Sequence, residues 1–185
     1  KRQALMVGTG LAAQRGILVR DAQALETMRQ VRVVAFDKTG TLTIGRPRLS
    51  ALVAADGVDE NALLAEAAAL QAGSEHPLAR AVLEAARERG LAAAAAADVQ
   101  AVPGRGIEGR VDGRQMRLGS ARWLAELNVV PAPALAAAAA RAQAEGRSVS
   151  WLVDAHTATV RGLFAFGDEA KPEAAQAIAA LHAQG

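Results

Sequence analysis

A short strand-like apolar run, followed at once by a hydroxyl-rich string, constrains this chain more than any other feature. The run Val31–Phe36 is rich in β-branched residues and ends on an aromatic one. It is short and apolar enough for a buried strand. The string Asp37-Lys-Thr-Gly-Thr-Leu-Thr43 follows it directly. In open parallel sheets, reactive groups collect just beyond the carboxyl ends of strands. The sequence therefore predicts an α/β fold with Asp37 at such a strand end.

A carboxylate in that position can act as a nucleophile on phosphorus. The backbone N–H groups and hydroxyls that follow it, from Thr39 to Thr41, can hold phosphoryl oxygens. Mg²⁺ would bridge Asp37 to the phosphate, because it prefers hard oxygen ligands. The alternative is an Asx-type turn in which Asp37 only caps the loop. The complete seven-residue string after a strand favours the catalytic interpretation.

Composition excludes several other classes of protein. The chain has 185 residues, of which 51% are hydrophobic and 22% are charged, a balance typical of a globular protein. With no Cys and three scattered His, neither disulfides nor a local zinc site is expected. Five aromatic residues, three Phe and two Trp, are too few for a base-stacking surface, so no nucleic-acid partner is expected. No apolar run reaches the roughly 18 residues of a membrane span, and no signal peptide is predicted.

Charge is distributed unevenly along the chain. Residues 1–48 carry nine Lys and Arg against three Asp and Glu, a pattern typical of a stretch beside a membrane helix but equally of a solvated face. Residues 49–162 carry eleven against thirteen, and residues 163–185 carry one against three. This distribution predicts a domain at 49–162 inserted into an incomplete outer domain formed by 1–48 and 163–185.

Periodicity and turn residues predict the remaining elements. Helices are expected at Ala22–Gln30, Asp59–Leu70, Pro77–Arg89, Ser120–Leu127, Pro133–Ala144 and Lys171–Ala183. Further strands are expected at Leu49–Ala54, Ile107–Val111, Gln115–Leu118, Arg147–Val153 and Thr157–Phe166. Asp112-Gly113 predicts a tight hairpin turn between two of them.

Two more strings carry residues suited to binding. In Ser74-Glu75-His76-Pro77-Leu78, Pro77 predicts a helix start, which leaves His76 either to meet a phosphate or base or to cap the helix. Val102-Pro-Gly104-Arg-Gly106-Ile107-Glu-Gly109 fits the G-x-G-x-x-G pattern, but Pro103 and the hairpin that follows exclude a dinucleotide-binding βα turn. A plain tight turn remains the alternative at this string.

Asp37–Thr43 resembles the phosphorylation motif of the P-type ATPases, whose catalytic domain has a haloacid-dehalogenase-like fold. Ser74–Leu78 resembles the signature of the heavy-metal-transporting branch. The resemblance implies Asp37 as phosphoryl acceptor, with Lys38 and Thr39 beside it, and Mg²⁺ held at Asp37 and Thr39. Related phosphatases place an Asp where this chain has Thr39, and its loss should slow hydrolysis of the intermediate by about two to four orders of magnitude.

The same resemblance implies that ATP is bound by residues of the later motifs. They are Glu75, His76, Gly104, Gly106 and Ile107, with Gln71 where the family usually has Glu, and Asp168 as a hinge or a carboxylate near the phosphate. It implies an antiparallel sheet flanked by helices for the nucleotide-binding domain, inserted into a partial phosphorylation domain.

On this resemblance the chain is expected to be a monomeric cytoplasmic fragment of an inner (plasma) membrane pump. Its partners would be ATP and the transmembrane and actuator domains of the same pump. A fragment is expected because the Thr-Gly-Asp and Gly-Asp-Gly-x-Asn-Asp segments do not occur in these residues. The cargo is expected to be monovalent copper, with zinc or cadmium as the alternative. A soluble phosphatase and a non-catalytic nucleotide-binding module remain open as rival functions.

Overall fold

The computed structural model describes residues 2–28, 30–92 and 94–184. Its helices are α1 (Arg2–Gln14), α2 (Ala22–Met28), α3 (Glu60–Gln71), α4 (Pro77–Glu88), α5 (Ala121–Glu126), α6 (Pro133–Ala144) and α7 (Ala174–His182), with a π-helical turn at Lys38–Leu42. Its strands are β1 (Thr43–Ala54), β2 (Ala96–Val102), β3 (Gly106–Val111), β4 (Arg114–Gly119), β5 (Ser148–Asp154) and β6 (Thr159–Ala170).

The six strands form one sheet in the order β1-β6-β5-β4-β3-β2, and each neighbouring pair is antiparallel. The predicted antiparallel sheet with flanking helices is thereby confirmed. The hairpin at Asp112-Gly113 is also confirmed, since both residues have positive φ values, of 49° and 79°, as a type I′ turn requires. β1 and β6 lie at one side of the sheet and extend well beyond the strands predicted there.

The sheet buries a different apolar layer on each face, because successive side chains of a strand point to opposite sides. Leu152 and Phe164 belong to the layer that α3 and α4 cover. Their neighbours Trp151 and Leu163 belong to the layer that contains residues of α5 and α6. The helices that cover the first face start as predicted: Asp59 caps α3 by accepting from the N–H of Ala62, and Pro77 occupies the first turn of α4.

The chain divides into two compact units, residues 38–175 and residues 1–37 together with 176–185. The sheet lies in the first unit. The boundaries predicted at 48/49 and 162/163 fall inside β1 and β6, and the division into three segments stays a prediction.

One predicted element is wrong. Val31–Phe36 forms no strand, and Val33 is 84% exposed. A strand needs a neighbour for its backbone N–H and C=O groups, and no described strand pairs with this segment. Within its own unit the segment lines a cavity of about 730 Å³ together with Ile178 and Leu181 of α7. The segment is rich in apolar residues, but apolar character alone does not provide a partner strand.

Candidate functional site

A cleft of about 470 Å³ lies on the sheet unit where α3 ends and α4 begins. Five of the residues predicted to bind a nucleotide line it together: Gln71, His76, Gly104, Gly106 and Ile107. They are up to 36 positions apart in sequence and reach the cleft from the end of α3, the N-cap of α4, the β2–β3 turn and the start of β3. Its volume lies in the ordinary range for small-molecule sites.

His76 has a structural role as well as a place in the cleft. Its Nδ1 accepts a hydrogen bond of 3.2 Å from the backbone N–H of Leu78, so the imidazole caps α4. A backbone N–H can only donate, so Nδ1 carries no proton here and the neutral ring has its N–H at Nε2. His76 is therefore fixed by the cap and presents a donor as its remaining polar atom. The two interpretations of this residue are compatible.

The β2–β3 loop begins with a tight turn. Val102 C=O accepts from the N–H of Arg105 at 3.0 Å, and Gly104 at the third position has φ of 70°. Pro103 before a glycine of positive φ is the pattern of a type II turn. The turn expected as the plain alternative thus exists, and it forms part of the cleft wall.

Gly106 is required by the sheet itself. It pairs with Gly119 at the end of the β3–β4 ladder. A Cβ at Gly106 would lie 2.1 Å from the carbonyl oxygen of Leu118 and 2.6 Å from Gly119 Cα. The resemblance implies a nucleotide-binding role for this glycine, which stays a prediction, and the close approach of the neighbouring strand is a second requirement for glycine here.

Glu75 lies outside the set of residues that line the cleft. Its carboxylate pairs with Arg80 at 2.7 Å, and 93% of its side chain is exposed. The structure therefore places it beside the site, on the solvent side of the α4 start.

The residues that follow Asp37 are held by contacts within the sheet unit. Lys38 Nζ donates to the carbonyl oxygen of Gly146 at 2.7 Å, and Lys171 Nζ donates to that of Gly40 at 2.7 Å. Asp37 itself is exposed and is the last residue of the first segment of the other unit. The side chain of Thr39 lies outside the described part of the structure.

Asp168 fastens the start of β1. Its carboxylate accepts from Thr43 Oγ1 at 2.5 Å and from the backbone N–H groups of Gly45 and Arg46 at 3.1 Å. The first donor belongs to the last residue of the Asp37–Thr43 string, and the other two belong to residues that follow it closely. The carboxylate thus ties the far end of β6 to the point where the chain enters the sheet, and its role as a hinge or as a carboxylate near the phosphate stays a prediction.

Sequence reasoning missed several residues of the cleft. Phe166 of β6 is 3% exposed and supplies an apolar wall, and Ser120, which caps α5, lies at the same cleft. Further lining residues are Ser74, Leu78, Arg105, Leu118, Ser148, Val149 and Ser150. Ser148 to Ser150 and Phe166 belong to strands read only as sheet, so only the tertiary structure brings them here.

Neither a metal cluster nor a membrane span is found in the described ranges. Among residues 2–28, 30–92 and 94–184, no three His, Cys, Asp or Glu side chains come together as metal ligands would. No described helix has the length and apolar character needed to cross a bilayer.

The comparisons with known proteins agree with the motifs. A copper-transporting P-type ATPase of Rhizobium leguminosarum bv. viciae is 40% identical over 181 residues, covering 98% of this chain and 21% of that protein. The crystal structure of a zinc-transporting PIB-type ATPase in the E2.Pi state has a TM-score of 0.75 and 38% identity, covering 98% of this chain and 29% of that one. The N-domain of HMA6, a copper-transporting P-type ATPase, matches 66% of this chain and 99% of its own length, with a TM-score of 0.54 and 25% identity.

These matches confirm the resemblance to the nucleotide-domain region of heavy-metal P-type ATPases, and the chain spans about a fifth of the length of the curated relative. The haloacid dehalogenase-like hydrolase family matches residues 31–185, which include the Asp37 string and the whole sheet. The chain therefore belongs to the haloacid dehalogenase-like hydrolase family.

Proposed function

We propose that this chain binds ATP in the cleft and presents Asp37 as phosphoryl acceptor, as part of a P-type ATPase that exports a heavy-metal cation. The observation that carries the proposal is the cleft itself, which gathers four residues of two separate motifs, and Gln71 from a position that only the family resemblance singled out. Ile107 and Phe166 form apolar walls that would exclude water from a base. The Nε2–H of His76 and the amide of Gln71 offer polar contacts.

In the proposed reaction, an Asp37 carboxylate oxygen forms a bond to the γ-phosphorus of ATP. The bond from that phosphorus to the β,γ-bridging oxygen breaks, and ADP leaves with the electron pair. Mg²⁺ would be held by Asp37 and Thr39 and would neutralise charge on the phosphate. Thr39 offers no carboxylate to activate water, so the phosphorylated Asp37 should persist.

The proposed cargo is monovalent copper, exported by the complete pump. The relative from Rhizobium, at 40% identity, is named as copper-transporting, whereas the solved structure at 38% is of a zinc transporter, so zinc or cadmium is the alternative. The two cargoes are distinguished by measuring, in the whole protein, which metal ion stimulates the labelling of Asp37 from γ-labelled ATP. Stimulation by Cu⁺ but not by Zn²⁺ supports copper, and the reverse result assigns the pump to zinc.

The proposed partners are the transmembrane and actuator domains of the same pump, with this chain as a monomeric cytoplasmic part of an inner (plasma) membrane protein. A soluble phosphatase of the same family is the second candidate, because residues 31–185 match that family as a whole. Rapid hydrolysis of a generic phosphate ester by the 185-residue chain would favour it.

The 185-residue chain should bind ATP without turning it over. The cleft lies within residues 38–175, whereas among the described residues Asp37 belongs to no cluster of three or more His, Cys, Asp or Glu that could complete the Mg²⁺ site at the transferred phosphate. Without such a cluster the transition state loses several kcal/mol of stabilisation. Calorimetric titration should show saturable 1:1 binding, and γ-labelled ATP should leave no acid-stable label. Robust labelling of Asp37 would contradict this prediction.

Variants of His76 separate its two roles. His76→Asn keeps a side-chain acceptor at the α4 cap but removes Nε2, so ATP affinity should fall about tenfold while thermal stability stays level. His76→Ala should lose the same affinity and also about 1 kcal/mol of stability.

The matched control is Asp59→Ala, which removes the cap of α3 at a residue that does not line the cleft. It should cost about 1 kcal/mol of stability and leave ATP affinity unchanged. Unchanged ATP affinity in His76→Asn would mean that His76 is a helix cap only.

A further inference from the structure

Arg105 is the only Lys or Arg among the described residues that line the cleft, and no Asp or Glu lines it. A nucleotide polyphosphate carries several negative charges, and its desolvation against neutral walls is costly without a cation. The remaining polar lining is made of serines, the imidazole of His76 and the amide of Gln71. Any charge neutralisation from the cleft wall must therefore come from Arg105.

The backbone of Arg105 is fixed at the cleft. Its N–H donates to Val102 C=O at 3.0 Å, and its C=O accepts from the N–H of Ser120 at 2.9 Å. Gly104 and Gly106 flank it, so no neighbouring side chain in the loop obstructs its own. With its backbone held by these bonds, the Arg105 side chain can change position without any change in the loop.

The Arg105 guanidinium is paired with Glu126 of α5. Arg105 Nε donates to Glu126 Oε2 at 2.5 Å, and Arg122 Nε donates to the other carboxylate oxygen at 3.1 Å. These hydrogen bonds, that from Arg105 first, lower the pKa of Glu126 below its ordinary value. Side-chain exposure is 40% for Arg105 and 35% for Glu126.

This arrangement keeps the free-energy cost of separating Arg105 from Glu126 small. If its guanidinium turns away, Glu126 remains paired with Arg122 and is open to water, so no buried charge is stranded. A phosphate group offers Arg the same bidentate geometry as a carboxylate, with more charge. The exchange replaces one ion pair by a stronger one.

We propose that Arg105 binds the polyphosphate of the nucleotide, exchanging Glu126 for phosphate oxygens, and that Glu126 acts as the resident competitor. This inference rests on the proposed nucleotide site and identifies the part of the ligand that this residue recognises. Arg105 is therefore a specificity residue for phosphorylated nucleosides, whereas the apolar walls bind the base.

The test compares ATP, ADP and adenosine by calorimetry on the 185-residue chain. Arg105→Gln should weaken ATP and ADP binding about tenfold and leave adenosine binding unchanged, because only the phosphates lose a partner. Arg105→Lys should recover part of the loss. Glu126→Gln should tighten ATP binding about threefold by removing the competitor, again without effect on adenosine. Arg110→Gln, which breaks an exposed ion pair with Asp98 away from the cleft, should change none of these affinities.

The results separate this inference from the proposed function. If Arg105→Gln and Glu126→Gln both leave the ratio of ATP to adenosine affinity unchanged, Arg105 does not bind phosphate, although the nucleotide site itself stands. If the unaltered chain binds neither ATP nor adenosine, both the site and the inference are overturned.

Discussion

Gly106→Ala should destabilise the sheet unit by about 3 kcal/mol, with a clear fall in thermal midpoint. The added methyl group would lie 2.1 Å from the Leu118 carbonyl oxygen and 2.6 Å from Gly119 Cα. Both are backbone atoms of β4, so relief requires the β3–β4 ladder to separate at its end. Chemical denaturation monitored by circular dichroism measures the change.

Gly113→Ala is the control for this prediction. Gly113 has φ of 79° in the hairpin but meets nothing within 4 Å of an added Cβ, so only backbone strain of about 1 kcal/mol is expected. Equal losses in the two variants would show that conformation, and not the approach of β4, accounts for the glycine at 106.

Glu66→Ala should cost about 3 kcal/mol of stability, because it leaves partly buried guanidinium groups without their anion. Glu66 lies on α3 with 6% of its side chain exposed. Arg161 Nε and Nη2 donate to its two oxygens at 2.7 and 2.8 Å, and Arg114 Nη2 donates at 2.6 Å. The carboxylate thus joins the helix to β6 and β4. Urea denaturation gives the loss in the free energy of unfolding.

Glu60→Ala, on the same helix, is the matched control. Glu60 pairs with Arg89 at 3.6 Å and has 54% of its side chain exposed, so its removal should cost less than about 0.5 kcal/mol. Replacing Glu66 and Arg161 together by Met should recover most of the loss, since the remaining partner of Glu66, Arg114, is 40% exposed and keeps Asp154 at 3.9 Å. A loss in Glu66→Ala no larger than that in Glu60→Ala would show that the buried ion pairs contribute nothing net.

Local chemistry made much of the sheet unit predictable. Pro77 at the first turn of α4 and the positive-φ pair Asp112-Gly113 act within a few residues, so the pattern there determines the structure. The hydrophobic repeat of α3 predicted its buried face for the same reason, with Leu63, Leu64, Ala67 and Leu70 all buried.

Features that depend on distant partners were not predictable. Val31–Phe36 has the composition of a strand, but a ladder requires a neighbour, and the described residues provide none. The contacts of Asp168 with Gly45 and Arg46 join residues more than 120 positions apart, so the sequence offered only a resemblance from which to assign that carboxylate.

The candidate site was predicted in part. Short motifs identified residues of the cleft that have unusual chemistry, His76 and the glycines, because these types stand out in sequence. Arg105 and Phe166 did not stand out: one is among 21 basic residues and the other lies in an ordinary strand pattern. Both residues belong to the candidate site only because the fold brings them to the same cleft.

The central claim, that the cleft is a nucleotide site, is tested most directly by amide NMR of the 185-residue chain titrated with ATP. The largest and saturable shift changes should fall on residues of the cleft wall, such as Gly104, Gly106 and Ser150. Gly57 and Gly113, which do not line it, should hardly change. Changes concentrated elsewhere, or none at saturating ATP, would contradict the account.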